Sequence, residues 1–384
     1  MKKLAIASAF LLLFAAAVFW AGPATVEARL NRTRQPVTPV ATRAGELHRT
    51  LLIADLHADT LLWGRDLLSE NTRGQVDVPR LIRGNVAVQA FTVVTKAPRG
   101  INMVRNPDST DLVLPLALLE RWPPATWRSM KQRALYQAGR FHDAVAASGG
   151  RLISLQTAAD LRTYLALRGH TPNVTAGFLG VEGAHALDGD VANLQELFDA
   201  GFRMMSPTHF TDNAFGGSST GVDKGGLTEK GRQLIREMEK RRMIVDLAHT
   251  SPQTIDDVLS IATRPVVVSH TGVQGTCKSA RNLRDAQIRR IAQSGGLIGI
   301  AYFEAATCGK DAKAIVRAIR YTSRIAGVEH VALGSDFDGG VTMPFDSGEL
   351  AVITEALLQD GFAEADIAKI MGGNTLRFLA ENLP

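Results

Sequence analysis

At 384 residues, 45% hydrophobic and 21% charged, the chain has enough material for one large α/β domain with insertions or for two smaller domains. Its net charge of +5 is thinly spread, with no Lys/Arg block and no stacking aromatics beside one, which argues against a nucleic-acid partner. Two cysteines in so long a chain are not a disulfide framework.

Lys2 and Lys3 precede an apolar stretch from Leu4 to Gly22, and Val26-Glu27-Ala28 has the form of a small-x-small cleavage site. Residues 1–28 therefore read as a secretory signal peptide or, because the apolar stretch could almost span a bilayer, as an uncleaved N-terminal anchor. Either way the rest of the chain is expected to be exported, to a periplasmic or extracellular space, touching the membrane only through that anchor. Cys277 and Cys308 then sit in a disulfide-permissive compartment with their pairing open, and neither has the adjacent base that a nucleophilic thiol needs. Residues 29–48, rich in Arg, Thr and Pro, read as a linker, and residues 49–384 as the folded domain.

The first strand-like run, Leu51–Ala54, leads into Asp55-Leu56-His57-Ala58-Asp59, and Val86–Val94 is the second. Residues 97–172, with Pro-rich pieces, Trp122, Trp127 and a helical stretch at Lys131–Ala147, read as an insertion forming part of a substrate wall. A regular alternation follows. Strand-like runs at Val174–Val181, Phe202–Ser206, Met243–Ala248, Pro265–Ser269, Leu297–Tyr302 and His330–Gly334 are separated by helical spacing, as in Val191–Ala200, Thr228–Lys240, Pro252–Ile261 and Asp285–Gln293. Eight such runs predict a (β/α)8 TIM-type barrel with an inserted segment after strand two. No Gly-x-Gly-x-x-Gly follows the first strand and no phosphate loop is present, so nucleotide binding lacks its main signal.

The C-terminal ends of these strands carry the chemistry. In order they finish in His57 and Asp59, Glu182-Gly183-Ala184-His185, Thr208-His209, Asp246-Leu247-Ala248-His249, Ser269-His270 and Ser335-Asp336. In a barrel of this type such ends converge at one mouth. Singly, each histidine is more often a hydrogen-bonded core or surface residue, but together the set reads as a metal site. Two groups of ligands suit two metals, with His57 and Asp59 on one, His249 and His270 on the other, and Glu182 shared between them. Two such cations would trap a hydroxide of depressed pKa. His209 is the candidate donor to the tetrahedral oxyanion, and Asp336 the candidate acid/base. Arg281, in the loop after strand six, is either a clamp for a substrate carboxylate or a helix-start arginine paired with Asp285. Asp55 and Asp246 are supporting candidates, as is His185. His48 and His330 lie at the wrong strand ends, and His142 and His170 fall in the insertion.

With these residues the sequence resembles the membrane dipeptidase (renal dipeptidase-like) family of zinc metallopeptidases, in the amidohydrolase superfamily. The likeness rests on Asp55-Leu56-His57-Ala58-Asp59, Asp77-Val78-Pro79-Arg80-Leu81, Glu182-Gly183-Ala184, Thr208-His209 with Asn213, and Asp246-Leu247-Ala248-His249. It continues through Ser269-His270, Ala280-Arg281-Asn282, Gly334-Ser335-Asp336-Phe337-Asp338-Gly339 and Gly372-Gly373-Asn374. It implies a dipeptidase with two Zn2+ ions, ligated by His57, Asp59, Glu182, His249 and His270. It also implies substrate binding by His209 and Arg281, and Asp336 as the catalytic acid/base. The substrate implied is a dipeptide, often with a D-residue on the C-terminal side, and some members open β-lactams. A homodimer is left open. Leu56 and Ala58 depart from the Gly and Asn usual in the family, and another two-metal amidohydrolase or a silent binding protein are the rival readings.

Overall fold

The structure, a computed structural model, describes residues 21–34 and 39–384. The expected signal or anchor at 1–28 lies outside the described residues up to residue 20. Its last part, from residue 21, is helical and continues to residue 30. Among the described residues no helix is long and apolar enough to cross a membrane.

Among the described residues nine parallel strands form one sheet: β1 (Ile53–Ala58), β2 (Val86–Val94), β3 (Leu152–Ser154), β4 (Thr175–Glu182), β5 (Phe202–Met205), β6 (Ile244–Val245), β7 (Val267–Thr271), β8 (Leu297–Ile300) and β9 (Val331–Leu333). Eight of them follow the order β6-β5-β4-β2-β1-β9-β8-β7, while β3 pairs only with β4. The path closes on itself where Asp246, just past β6, bridges to Val267 and Leu247 N donates to Val267 O at 2.8 Å. This is the expected (β/α)8 barrel. Apart from β3, every strand residue is buried, so the strands read as predominantly apolar runs rather than alternating ones, with the polar residues gathered mostly toward their C-terminal ends. Helices such as Glu229–Lys240, Pro252–Ile261, Asp285–Gln293 and Ala312–Ala326 turn an apolar face inward and complete the outer layer.

Two stretches differ from the sequence expectation. Residues 97–172 are mostly regular: helices Val113–Leu119, Met130–Ala147 and Ala158–Arg168, with β3 at the edge of β4. The expected linker at 29–48 is not a free tether over its described residues. Thr33 bridges to Met343, and Thr42–Thr50 is a helix whose buried His48 bonds Thr354 Oγ1 (2.9 Å) and the Gly84 carbonyl (3.0 Å). Polar composition misled there, because those polar groups find partners far away in sequence.

Candidate metal centre

The C-terminal ends of β1, β4, β5, β6, β7 and β9 bring the predicted residues into one buried chamber. Glu182, the last residue of β4, stands in its middle. Its Oε1 lies 2.8 Å from His249 Nε2, 3.4 Å from His270 Nε2 and 3.5 Å from His57 Nε2, and its Oε2 lies 3.1 Å from His209 Nε2. His57 Nε2 is also 3.4 Å from Asp59 Oδ1 and 3.9 Å from Asp336 Oδ1. Three triplets of candidate ligand atoms each fit within 4.8 Å: His57, Glu182 and His270; Glu182, His209 and His249; His57, Asp59 and Asp336.

Local structure aims these side chains. In β1 the four residues from Asp55 to Ala58 oppose three on β2, and in β7 the four from Val268 to Thr271 oppose three on β8, so each strand carries an extra residue just before the mouth. The β7 irregularity lets consecutive residues both serve the site. Ser269 Oγ bonds His57 Nδ1 at 3.1 Å and His270 Nδ1 at 3.0 Å, which turns both Nε2 atoms toward Glu182. Asp55 Oδ1 accepts the His57 amide (3.0 Å) and its Oδ2 the Ser335 amide (3.0 Å); Asp246 Oδ1 accepts the amides of Ala248 (2.9 Å) and Ser269 (2.8 Å). Both are the supports expected of them. Thr92 Oγ1 donates to Asp59 Oδ1 at 2.7 Å. His249 and Asp336 are held at φ 63° and 65°, a left-handed conformation that non-glycine residues adopt mainly where the surroundings demand it.

The electrostatics are those of a site built around a positive charge. Burial, reinforced by the Asp59 carboxylate, pushes the Glu182 carboxyl well above its usual range. Burial alone would lower His57, but the carboxylates of Glu182, Asp59 and Asp336 outweigh it and raise the imidazole to about 10. Burial drives His209, His249 and His270 well below the ordinary histidine value, with Arg281 nearby adding to the effect, so these rings are neutral. Burial raises Asp336 to about 7 against the opposing pull of His57.

These residues fit a divalent cation on their own evidence. His249 Nε2 and His270 Nε2 lie 3.0 Å apart, and both face Glu182 Oε1. Glu182 Oε1 and His57 Nε2 are buried without a hydrogen-bond partner, a state that costs about 1–3 kcal/mol per group if nothing else satisfies it. Mixed imidazole and carboxylate donors supply what such an ion takes.

Arg281 is buried beside His270 and makes no pair with Asp285. Its Nη2 donates to His270 Nε2 (2.7 Å) and to the His270 carbonyl (3.0 Å), while Asp285 instead accepts from Tyr321 Oη at 2.9 Å. His185 stays outside the cluster, with Nε2 3.1 Å from Thr211 Oγ1. His48, His142 and His330 bond backbone or hydroxyl groups elsewhere. The sequence reading gave no role to Ser269 or Thr92. Ser269 directly precedes His270, and that adjacency is the signal in sequence; nothing local marks Thr92. Cys277 and Cys308 are disulfide-bonded, tying the loop that carries Arg281 to the one after β8.

The model of the membrane dipeptidase family, peptidase family M19, matches residues 41–382. The dipeptidase aclJ of Aspergillus oryzae is 27% identical over 369 residues, covering 91% of this chain and 80% of its own. Among solved structures, dipeptidase AC, a metallopeptidase of family M19, superposes with a TM-score of 0.73 at 25% identity, over 87% of this chain and 99% of its own. A metallopeptidase from Rhodobacter sphaeroides, liganded with a phosphinate mimic of the dipeptide L-Ala-D-Ala, gives 0.70 at 25% identity over 87% and 99%.

Proposed function

The chain belongs to the membrane dipeptidase family, peptidase family M19, and from that premise we propose that it is an exported two-zinc enzyme cleaving dipeptides with a free C-terminal carboxylate. At the coarser level it is a metallo-type dipeptidase, a peptide hydrolase on a TIM-type barrel. The observation that carries the finer reading is the Glu182 carboxylate, buried among four imidazoles and left with an orphaned oxygen. His57 and Asp59 would hold one ion and His249 and His270 the other, with Glu182 shared. Two cations so held would supply Lewis acidity for the scissile carbonyl and a lowered pKa for the attacking water.

The chain's own residues do the rest. Arg281 binds the substrate carboxylate, its guanidinium buried at the mouth and held by the His270 carbonyl. His209 donates to the oxygen on which charge develops. Asp336, with its carboxyl raised to about 7, takes a proton from the attacking water and returns it to the leaving nitrogen at neutral pH. A D-residue on the C-terminal side is supported by the L-Ala-D-Ala mimic held by the Rhodobacter sphaeroides relative. Export is supported by the apolar run after Lys2 and Lys3 and by the Cys277–Cys308 disulfide, a bond that persists in oxidising compartments.

The test is hydrolysis of L-Xaa-L-Xaa and L-Xaa-D-Xaa dipeptides by the purified chain, with and without a chelator. Turnover lost on chelation and restored by zinc is the expected result. Absence of turnover with two metals bound would point instead to a lactone or β-lactam substrate, or to a binding role.

A further inference from the structure

From Glu27 to Arg34 the N-terminal segment lies against the loops at the site end of the barrel. Glu27 is 2% exposed, and its carboxylate accepts from two guanidinium groups: Oε1 from Arg65 Nε and Oε2 from Arg73 Nε, each at 2.6 Å. Arg65, itself buried, donates Nη2 to the Asp338 carboxylate and Nη1 to the Val76 carbonyl. Gly74, at φ 73°, leaves the space this guanidinium fills, since a Cβ there would overlap it. Asp338 in turn joins two loops. Its carboxylate accepts Thr60 Oγ1 (2.9 Å) and the amides of Gln75 (2.7 Å) and Val76 (3.3 Å), and its carbonyl accepts Trp63 Nε1 at 2.7 Å. Asp336 precedes it by two residues, both at positive φ, and between them the Phe337 carbonyl takes the Asp59 amide at 2.9 Å. Asn31 Oδ1 accepts the Gly340 amide at 2.8 Å, so the N-terminal segment grips this turn a second time.

We infer that Glu27 is a positioning residue for the hydrolysis: it holds Arg65 on Asp338 and thereby fixes the turn that aims Asp336 into the site. The inference rests on the dipeptidase reading of Asp336 given above. The cluster balances two guanidinium groups, Arg65 and Arg73, against two carboxylates, Glu27 and Asp338. Without Glu27 the buried Arg65 loses the partner on its Nε and is free to swing off Asp338. The working protein therefore keeps residue 27, and Val26-Glu27-Ala28 is not where it is cut.

The test compares full-length wild type, Glu27→Gln and Glu27→Asp. Glu27→Gln keeps the shape and removes the charge. It is expected to lower kcat about tenfold with KM changed less than about twofold, and Glu27→Asp to recover part of the loss. Amide exchange supplies the second readout: Gln75 and Val76 exchange faster in Glu27→Gln while helix Ala312–Ala326 is unchanged. Equal kcat with unchanged exchange overturns the inference, as does a uniform rise in exchange across the barrel. So does an intact mass showing that the active exported chain begins at Arg29. Wild type that fails to cleave dipeptides defeats the functional reading alone, because the exchange result still decides whether Glu27 holds the turn.

Discussion

His57 and Glu182 set the protonation state in which the site meets a cation. With no cation bound, His57 keeps its proton up to about pH 10, because three surrounding carboxylates outweigh the effect of burial. The imidazole must lose that proton to become a ligand, whereas His209, His249 and His270 are already neutral at pH 7 and cost nothing. Metal uptake by stripped protein at pH 7 should therefore release at least about one proton, and apparent affinity should rise about tenfold per pH unit between pH 7 and 9. Calorimetric titration of zinc in two buffers of different ionisation enthalpy measures this directly. A heat independent of the buffer would mean that His57 is neutral beforehand. The residues that cluster at the mouth were legible in sequence, because imidazole and carboxylate at strand ends are rare enough to notice. The hydroxyls that orient them were not, since Ser269 reaches His57 across 212 positions of chain.

At the scale of elements, the extra residue in β7 does most to shape the chamber, and it depends on two glycines in neighbouring strands. A Cβ on Gly299 in β8 or on Gly334 just after β9 would fall far inside contact distance of the Ser269 carbonyl. Their bareness lets β7 push inward so that Ser269 and His270 both face the mouth. Gly334→Ala should therefore displace Ser269, destabilise the barrel by about 1–3 kcal/mol and reduce the metal bound per chain. Thermal unfolding and metal content read both effects, and a variant with wild-type values would show that β7 has slack. Eight strands were readable from sequence because each is buried on both faces and so spelled as a mainly apolar run. The two irregularities were not, because a period of two carries no mark of an inserted residue. β3 went unread as well: Leu152, Ile153 and Ser154 are too few to give a pattern, and only their pairing with Thr175–Gly177 defines them.

For the whole molecule, the site works as a cross-brace. His57 lies on β1 with Asp59 just past its end, Glu182 ends β4, His249 follows β6 by four residues and His270 lies on β7, so the cluster of candidate ligands links strands from opposite sides of the barrel, including the β6–β7 seam closed by the Asp246 to Val267 bridge. The N-terminal segment adds a second brace outside the barrel, at Glu27 and Asn31, which composition alone labelled leader and linker because its partners lie 38 to 309 positions away. A cation bound to the native state and not to the unfolded chain stabilises the fold by about 4 kcal/mol at a thousandfold excess over its Kd. For a chain of this size that corresponds to about 5 °C in Tm per ion. Chelation should therefore lower Tm in a single cooperative transition by about 5–10 °C as well as abolish activity, and added zinc should restore both together. Scanning calorimetry of stripped and reloaded protein provides the measurement. Because the ligands span the seam, the loss belongs to the main transition rather than to a separate early one. Activity lost on chelation with Tm unmoved would place the metals on a surface the fold does not depend on, and the cross-brace would have to be given up.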